Sequence, residues 1–89
     1  MRRLSCYFSG RVQGVGFRYT AQNLAEQYDV KGFVRNLPDG RVELVMEGTG
    51  EELRRLLEEV KDRMDGFIRK TDVVESPATG EFDRFSIKF

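Results

Sequence analysis

Histidine is absent from the 89-residue sequence. Without histidine the protein has no Ser-His-Asp triad, no Cys-His pair and no His-Glu-x-x-His zinc site. A chain of this length buries only about 60–65% of its unfolded surface, which leaves little room for a large internal cavity. A hydrolase that depends on a histidine base is therefore excluded, and a bulky cofactor is not expected.

Cysteine and long apolar runs are also scarce. The single cysteine, Cys6, cannot form an internal disulfide, so a cytoplasmic location is the default expectation. Cys6 lies in a strand-like segment and is predicted to be buried packing rather than a nucleophile. The apolar runs are too short to cross a bilayer, and no signal-peptide pattern begins the sequence. We therefore expect no membrane partner.

The sequence has no net charge, because fifteen basic residues balance fifteen acidic ones. Nucleic-acid-binding proteins usually carry a strong positive excess, so no nucleic-acid partner is expected. The distribution is nevertheless uneven. The first eighteen residues contain no acid and four arginines: Arg2, Arg3, Arg11 and Arg18. A local anion site near the N-terminus is therefore plausible on charge alone.

Hydrophobic periodicity predicts an α+β fold. Residues 3–9 alternate as in a half-buried strand, whereas apolar residues from Phe17 onwards recur at helical spacing. Thr49 and Glu52 have the spacing of a capping box that opens a second helix. A strand is predicted at 31–36, a turn at 37–40, a strand after that turn, and further strands at 67–75 and 85–89. In the third strand Glu43 and Glu47 are predicted to face solvent.

The resulting order is β-α-β-β-α-β plus a short C-terminal strand. This order is typical of the ferredoxin-like split β-α-β sandwich, in which two helices cover one face of an antiparallel sheet. We expect residues 1–89 to form this single domain, acting as a monomer.

The predicted topology brings Arg18 and Asn36 to one edge of the sheet. Strands one and two of a split β-α-β unit point the same way, so their ends share an edge with the start of the first helix. Gly14 and Gly16 permit a concave run of N–H donors before that helix, and Arg18 adds a planar fork suited to phosphate. Asn36 can both donate to and accept from a water.

Glycine spacing alone leaves a simpler alternative open. The loop lacks the third glycine of the dinucleotide fingerprint, where Tyr19 stands, and it lacks the Gly-Lys-Ser/Thr of a Walker motif. It also fits a tight turn with a surface arginine, and Asn36 also fits a turn cap at the end of a strand.

Two sequence motifs resemble those of the acylphosphatases. Residues 10–18 read Gly-Arg-Val-Gln-Gly-Val-Gly-Phe-Arg, which is similar to the first motif of that family. Residues 32–36 read Gly-Phe-Val-Arg-Asn and are followed at 39–43 by Asp-Gly-Arg-Val-Glu, which is similar to the second motif. The spacing between the motifs also fits, and the similarity spans nearly the whole sequence.

The resemblance implies a metal-free, cofactor-free hydrolase of small acyl phosphates, with inorganic phosphate as product and inhibitor. It implies that Arg18 binds phosphate together with loop amides, and that Asn36 orients the attacking water. The implied amides are those of Gly14, Val15, Gly16, Phe17 and Arg18. Positioning and charge neutralisation would then supply the rate without a histidine base.

Two positions depart from the family pattern. Phe33 stands where the family often has tryptophan, and Asp65-Gly66-Phe67 stands where many members have a Gly-Pro segment. The second departure leaves the shape of that turn and the choice of substrate open.

Two other functions compete with this interpretation. Lys31-Gly32-Phe33 imitates the start of an RNA recognition motif, but the segment falls on the second strand instead of the third. The alternative is a non-catalytic relative, like the acylphosphatase-like domains of the hydrogenase-maturation carbamoyltransferases. Retention of both Arg18 and Asn36 favours catalysis over that reading.

Overall fold

The computed structural model describes residues 1–89 and contains two helices and five strands. Their order is the predicted β-α-β-β-α-β plus a terminal strand. The elements are β1 (Arg2–Gly10), α1 (Phe17–Ala25), β2 (Lys31–Asn36), β3 (Val42–Gly48), α2 (Gly50–Arg63), β4 (Ile68–Pro77) and β5 (Phe85–Lys88). Neither helix is long and apolar enough to cross a membrane.

The strands form one sheet in the order β4-β1-β3-β2-β5. β1 pairs antiparallel with β3 and β4, and β2 pairs antiparallel with β3. β5, however, runs parallel to β2, so the prediction of an antiparallel sheet is wrong at this edge and the sheet is mixed. Residues 78–84 connect β4 at one edge of the sheet to β5 at the opposite edge. The alternating residues of β5 show which face is buried, but they cannot show on which edge the strand adds.

Both helices pack on one face of the sheet, as predicted. The core combines the alternate positions of β1 and β3 with the apolar stripes of the two helices. Its fully buried large side chains are Phe8, Leu44, Met46, Leu53, Leu56, Val12, Val34, Val42 and Val60. Each such side chain stabilises the fold by about 1.5–3 kcal/mol through removal from water.

Cys6 lies in this core and is completely buried, which confirms its predicted structural role. Burial raises the pKa of the Cys6 thiol to about 12. The thiol therefore stays protonated near neutral pH and is a poor nucleophile.

The start of α2 confirms half of the predicted capping box. The Thr49 hydroxyl accepts a hydrogen bond from the Glu52 amide at 3.3 Å, as expected of an N-cap. The Glu52 carboxylate does not return to Thr49 but accepts from the Asp29 amide at 3.1 Å. Glu52 thus ties the start of α2 to the segment that leads into β2, a contact between residues too far apart in sequence for a capping pattern to reveal.

The prediction that Glu43 and Glu47 face solvent is wrong, because they are only 8% and 6% exposed. Both lie on the sheet face without helices, but neighbouring groups cover them. Glu47 accepts from Arg3 Nε at 2.7 Å and from the amides of Thr79 and Gly80 at 2.9 and 3.0 Å. Burial alone would raise the pKa of Glu47, but these donors outweigh it and lower the pKa to about 2. The ionised carboxylate therefore anchors the 78–84 segment to the sheet.

Neighbouring groups also cover the aromatic side chains on the sheet face without helices. An RNA recognition domain needs exposed aromatics there for base stacking. Phe33 is only 9% exposed, because the Phe82 ring lies 5.8 Å away edge-on and Lys88 Nζ sits 4.0 Å from its ring centroid. The residue that imitated an RNA-binding motif in the sequence is therefore covered.

Candidate active site

The ends of β1 and β2 lie at the same end of the sheet, one on each side of β3. Phe8 of β1 and Asn36 of β2 both pair with Val42, from opposite sides of β3. Both strands are antiparallel to β3, so they run parallel to each other and end together. The segment from Gly10 to α1 therefore starts at the end of the sheet that holds Asn36, with β3 between them.

The loop that joins β1 to α1, residues 11–16, is anchored where it leaves the strand. The Arg11 amide donates to the Phe67 carbonyl oxygen at 2.9 Å, and the Val12 side chain is completely buried. Gly10 has φ 126°, and a Cβ atom there would lie 2.4 Å from the Phe67 oxygen. Only glycine allows this approach. The turn at 65–67, where the sequence departs from the family pattern, thus supports the loop directly.

A second anchor comes from Gln13. Its Nε2 atom donates to the carbonyl oxygens of Leu37 at 2.8 Å and Arg41 at 3.0 Å, in the turn between β2 and β3. Gln13 is not among the site residues predicted from the sequence. The only feature that could have indicated its role was a polar side chain in a glycine-rich loop. The spacing of residues does not indicate which distant carbonyl oxygens accept hydrogen bonds from it.

The outer part of the loop curves through two left-handed glycines. Gly14 has φ 76° and Gly16 has φ 80° with ψ 19°. A Cβ atom at either position would meet nothing within 4 Å, so space does not require glycine here. The backbone conformation favours it, since another residue costs about 1–2 kcal/mol in the left-handed region.

Eight consecutive backbone amides, residues 12–19, donate to no acceptor in the protein. Hydrogen bonding stops after the Arg11 amide and resumes with the Thr20 amide, which donates to Gly16 at 3.0 Å. No side-chain acceptor reaches the interval either. The five amides implied by the resemblance, Gly14 through Arg18, all belong to this run. A left-handed turn that leads into a helix with free N–H groups forms a concave anion-binding surface.

The N-terminus of α1 carries no group that would compensate its own dipole. Gly16 is the N-cap and has no side chain, and the first turn contains no acidic residue. By contrast, α2 has a Thr49 cap and two glutamates in its first turn. The positive end of α1 therefore remains available to an external anion.

Arg18 is the one sheltered basic residue without a carboxylate partner. Three of the fifteen basic side chains are half-buried, namely Arg3, Arg18 and Arg41. Arg3 and Arg41 each bind a carboxylate, whereas no carboxylate lies within 4.0 Å of Arg18. The Arg18 guanidinium lies over the Phe89 ring, with 4.9 Å from Cζ to the ring centroid. Phe89 is itself 92% exposed, and this contact leaves the guanidinium donors free.

Asn36 ends β2 on the face that carries the helices. It shares that face with Val34, which is completely buried, but Asn36 itself is only half-buried. Its side chain makes no hydrogen bond within the protein, and no buried polar atom lacks a partner, so the amide reaches solvent. The parallel pairing of β2 and β5 ends at Arg35 and Lys88, so Phe89 follows at the same end. Arg18, which stacks on Phe89, is therefore brought to the end of the sheet that holds Asn36.

The site is an open surface and not an enclosed pocket. The three largest clefts have volumes of about 240, 300 and 390 Å³, and neither Arg18 nor Asn36 lines any of them. A shallow run of donors can hold a small anion, but it offers no walls for a larger attached group. No three acidic or cysteine side chains converge as metal ligands.

Comparisons with known proteins agree with this architecture. The acylphosphatase family model matches residues 4–87. An acylphosphatase of Syntrophus aciditrophicus (strain SB) is 41% identical over 90 residues, which cover 100% of this chain and 94% of that protein. An acylphosphatase of Methylococcus capsulatus is 45% identical over 89 residues, which cover 98% of this chain and 96% of that protein. The crystal structure of acylphosphatase from Bacillus subtilis superposes with a TM-score of 0.92 at 38% identity, over 100% of both chains. Family model, full-length relatives and fold together show that the chain belongs to the acylphosphatases, a family of enzymes.

Proposed function

We propose that the protein hydrolyses the carboxyl–phosphate bond of small acyl phosphates, releasing a carboxylate and inorganic phosphate. The family and its relatives support the reaction class. The single observation that supports its location is the run of free amides at 12–19, which ends beside an arginine without a carboxylate partner. We propose that residues 1–89 act as one acylphosphatase domain.

In this proposal the phosphate group binds to the amides of Gly14, Val15, Gly16, Phe17 and Arg18. The dipole of α1 adds positive potential at the same point. The Arg18 guanidinium donates two parallel hydrogen bonds to phosphate oxygens, for which its planar fork is suited. Because the donors are already in place, they stabilise charge on the transferring phosphoryl group without reorganisation.

Asn36 would hold the attacking water on the side of phosphorus opposite the acyl oxygen. The water oxygen forms a bond to phosphorus as the phosphorus–acyl oxygen bond breaks, and the carboxylate leaves with the bonding electrons. The proton lost by the water passes to an oxygen of the bound phosphate group. A carboxylate is a good leaving group, so no general acid is needed, and no histidine base is required.

The open site also predicts loose selection of the acyl group. The donors surround only the phosphate, and the clefts of the surface lie elsewhere. Acyl phosphates with different small acyl groups should therefore be hydrolysed at similar rates, and inorganic phosphate should inhibit by competing for the same donors.

The direct test is hydrolysis of benzoyl phosphate by the wild-type protein in excess chelator. We expect turnover that the chelator does not reduce, competitive inhibition by inorganic phosphate, and much slower hydrolysis of p-nitrophenyl phosphate, which has a poorer leaving group. Absence of turnover above the uncatalysed rate would refute the proposed function, and loss of turnover on chelation would refute its metal-free mechanism.

A further inference from the structure

Gln13 connects the two halves of the candidate site. Its side-chain amide donates to the Leu37 carbonyl at 2.8 Å and to the Arg41 carbonyl at 3.0 Å, so both donor hydrogens are used. Leu37 directly follows Asn36 in the chain. The same side chain thus belongs to the loop with the free amides and contacts the residue next to Asn36.

The turn that accepts these hydrogen bonds is itself well closed. The Leu37 amide donates to the Arg41 carbonyl at 2.8 Å, and the Gly40 amide donates to the Leu37 carbonyl at 3.1 Å. Asp39 accepts from the Arg41 amide at 3.0 Å, which holds the turn from the inside. Gln13 therefore donates to a turn that its own hydrogen bonds hold closed at the end of β2. The position of the loop relative to Asn36 depends on the two hydrogen bonds from Gln13.

We propose that Gln13 is a positioning residue that fixes the distance between the phosphate-binding amides and Asn36. The inference rests on the proposed function, because it assigns Gln13 to the alignment of phosphate and attacking water. Such alignment is sensitive, since a displacement of about 1 Å can cost about 10²-fold in rate.

The structure also separates this role from a general contribution to folding. Gln13 is exposed and adds nothing to the core. Arg11 and Val12 anchor the loop at its base without it, through a backbone hydrogen bond and a buried side chain. Loss of the Gln13 amide should therefore leave the loop attached and the phosphate donors present. The distance between the loop and Asn36, however, should become variable.

The variant Gln13→Met tests this, because it keeps the length of the side chain and removes both donors. We expect kcat for benzoyl phosphate to fall about 10- to 30-fold, less than the cost of a full 1 Å displacement because the loop base still holds. KM and the inhibition constant of inorganic phosphate should change by no more than about twofold. The control is Gln27→Met, an exposed glutamine after α1 without a side-chain hydrogen bond, which should match wild type.

A double-variant cycle with Asn36→Ala gives a readout that a merely structural role would not produce. If Gln13 acts by aligning phosphate with the water held by Asn36, then Gln13→Met should cost almost nothing further once Asn36 is absent. Gln13→Asn, too short to reach both carbonyls, serves as the second variant if the methionine variant unfolds, as judged by circular dichroism.

Three results would overturn the inference: kcat of Gln13→Met equal to that of Gln27→Met, a loss confined to the thermal midpoint, or full additivity with Asn36→Ala. An inactive wild-type protein would instead refute the proposed function itself and the role of Gln13 with it, so the two failures are distinguishable.

Discussion

Replacing Arg18 with alanine is expected to lower kcat/KM for benzoyl phosphate by about 10³-fold or more, as for other arginines that stabilise a transferring phosphoryl group. This corresponds to about 4 kcal/mol of lost transition-state stabilisation. The physical reason is that Arg18 is half-buried and has no carboxylate partner, so its charge is available to the substrate. Steady-state kinetics of the purified variant measure the effect.

Two further variants identify which property of Arg18 matters. Arg18→Lys keeps the charge but not the planar fork, and we expect it to recover only part of the activity. Arg54→Ala is the matched control, because Arg54 is exposed, has no carboxylate partner and lies on α2, which starts at the other end of the sheet. Activity of Arg18→Ala within about tenfold of wild type would remove this arginine from the transition state.

Replacing Asn36 with alanine is expected to lower kcat by about 10²-fold or more, because the attacking water loses its orientation. Phosphate should still bind, since the amides and Arg18 remain, so the inhibition constant of inorganic phosphate should change by no more than about twofold. Measurement of kcat and of phosphate inhibition on the same preparation separates the two effects.

The sequence offers a matched control for this variant too. Asn23 is the only other asparagine and is exposed on α1, so Asn23→Ala should behave as wild type. Wild-type turnover by Asn36→Ala would exclude Asn36 from the mechanism. An equal loss of turnover and of phosphate affinity would instead indicate that Asn36 contributes to binding.

Local sequence patterns predicted the elements of the fold well, because periodicity reports which face of an element is buried. The change from period two in residues 3–9 to helical spacing after Phe17 located β1 and α1. Thr49 located the start of α2. These signals depend on residues close in the chain, so tertiary contacts did not need to be known.

The errors share a different physical origin. The direction of β5, the covering of Glu47 and the partner of Glu52 all depend on segments distant in sequence. Gln13 escaped notice for the same reason, since its acceptors lie 24 and 28 residues away. Alternation and capping patterns do not indicate which donor or acceptor from a distant segment will hydrogen-bond to a given side chain.

The candidate site falls between these two cases. Gly14 and Gly16 could be read as positions for a left-handed backbone, and the structure shows positive φ at both. The topology predicted that Asn36 and the end of β1 share one end of the sheet, and the structure confirms this placement. The absence of a cleft around Arg18 and Asn36 could not be predicted, because the position of clefts depends on how distant segments pack against one another.

The most direct test of the central claim, that free amides at the start of α1 hold the phosphate, is an NMR titration. Inorganic phosphate is added to nitrogen-15-labelled protein near neutral pH, and the backbone amide signals are followed. We expect saturable shifts that are largest for Gly14 through Arg18, with little change for Thr79 and Gly80 at the other end of the sheet, whose amides already donate to Glu47. Saturable shifts centred elsewhere, or no shift at Gly14 through Arg18, would contradict the account.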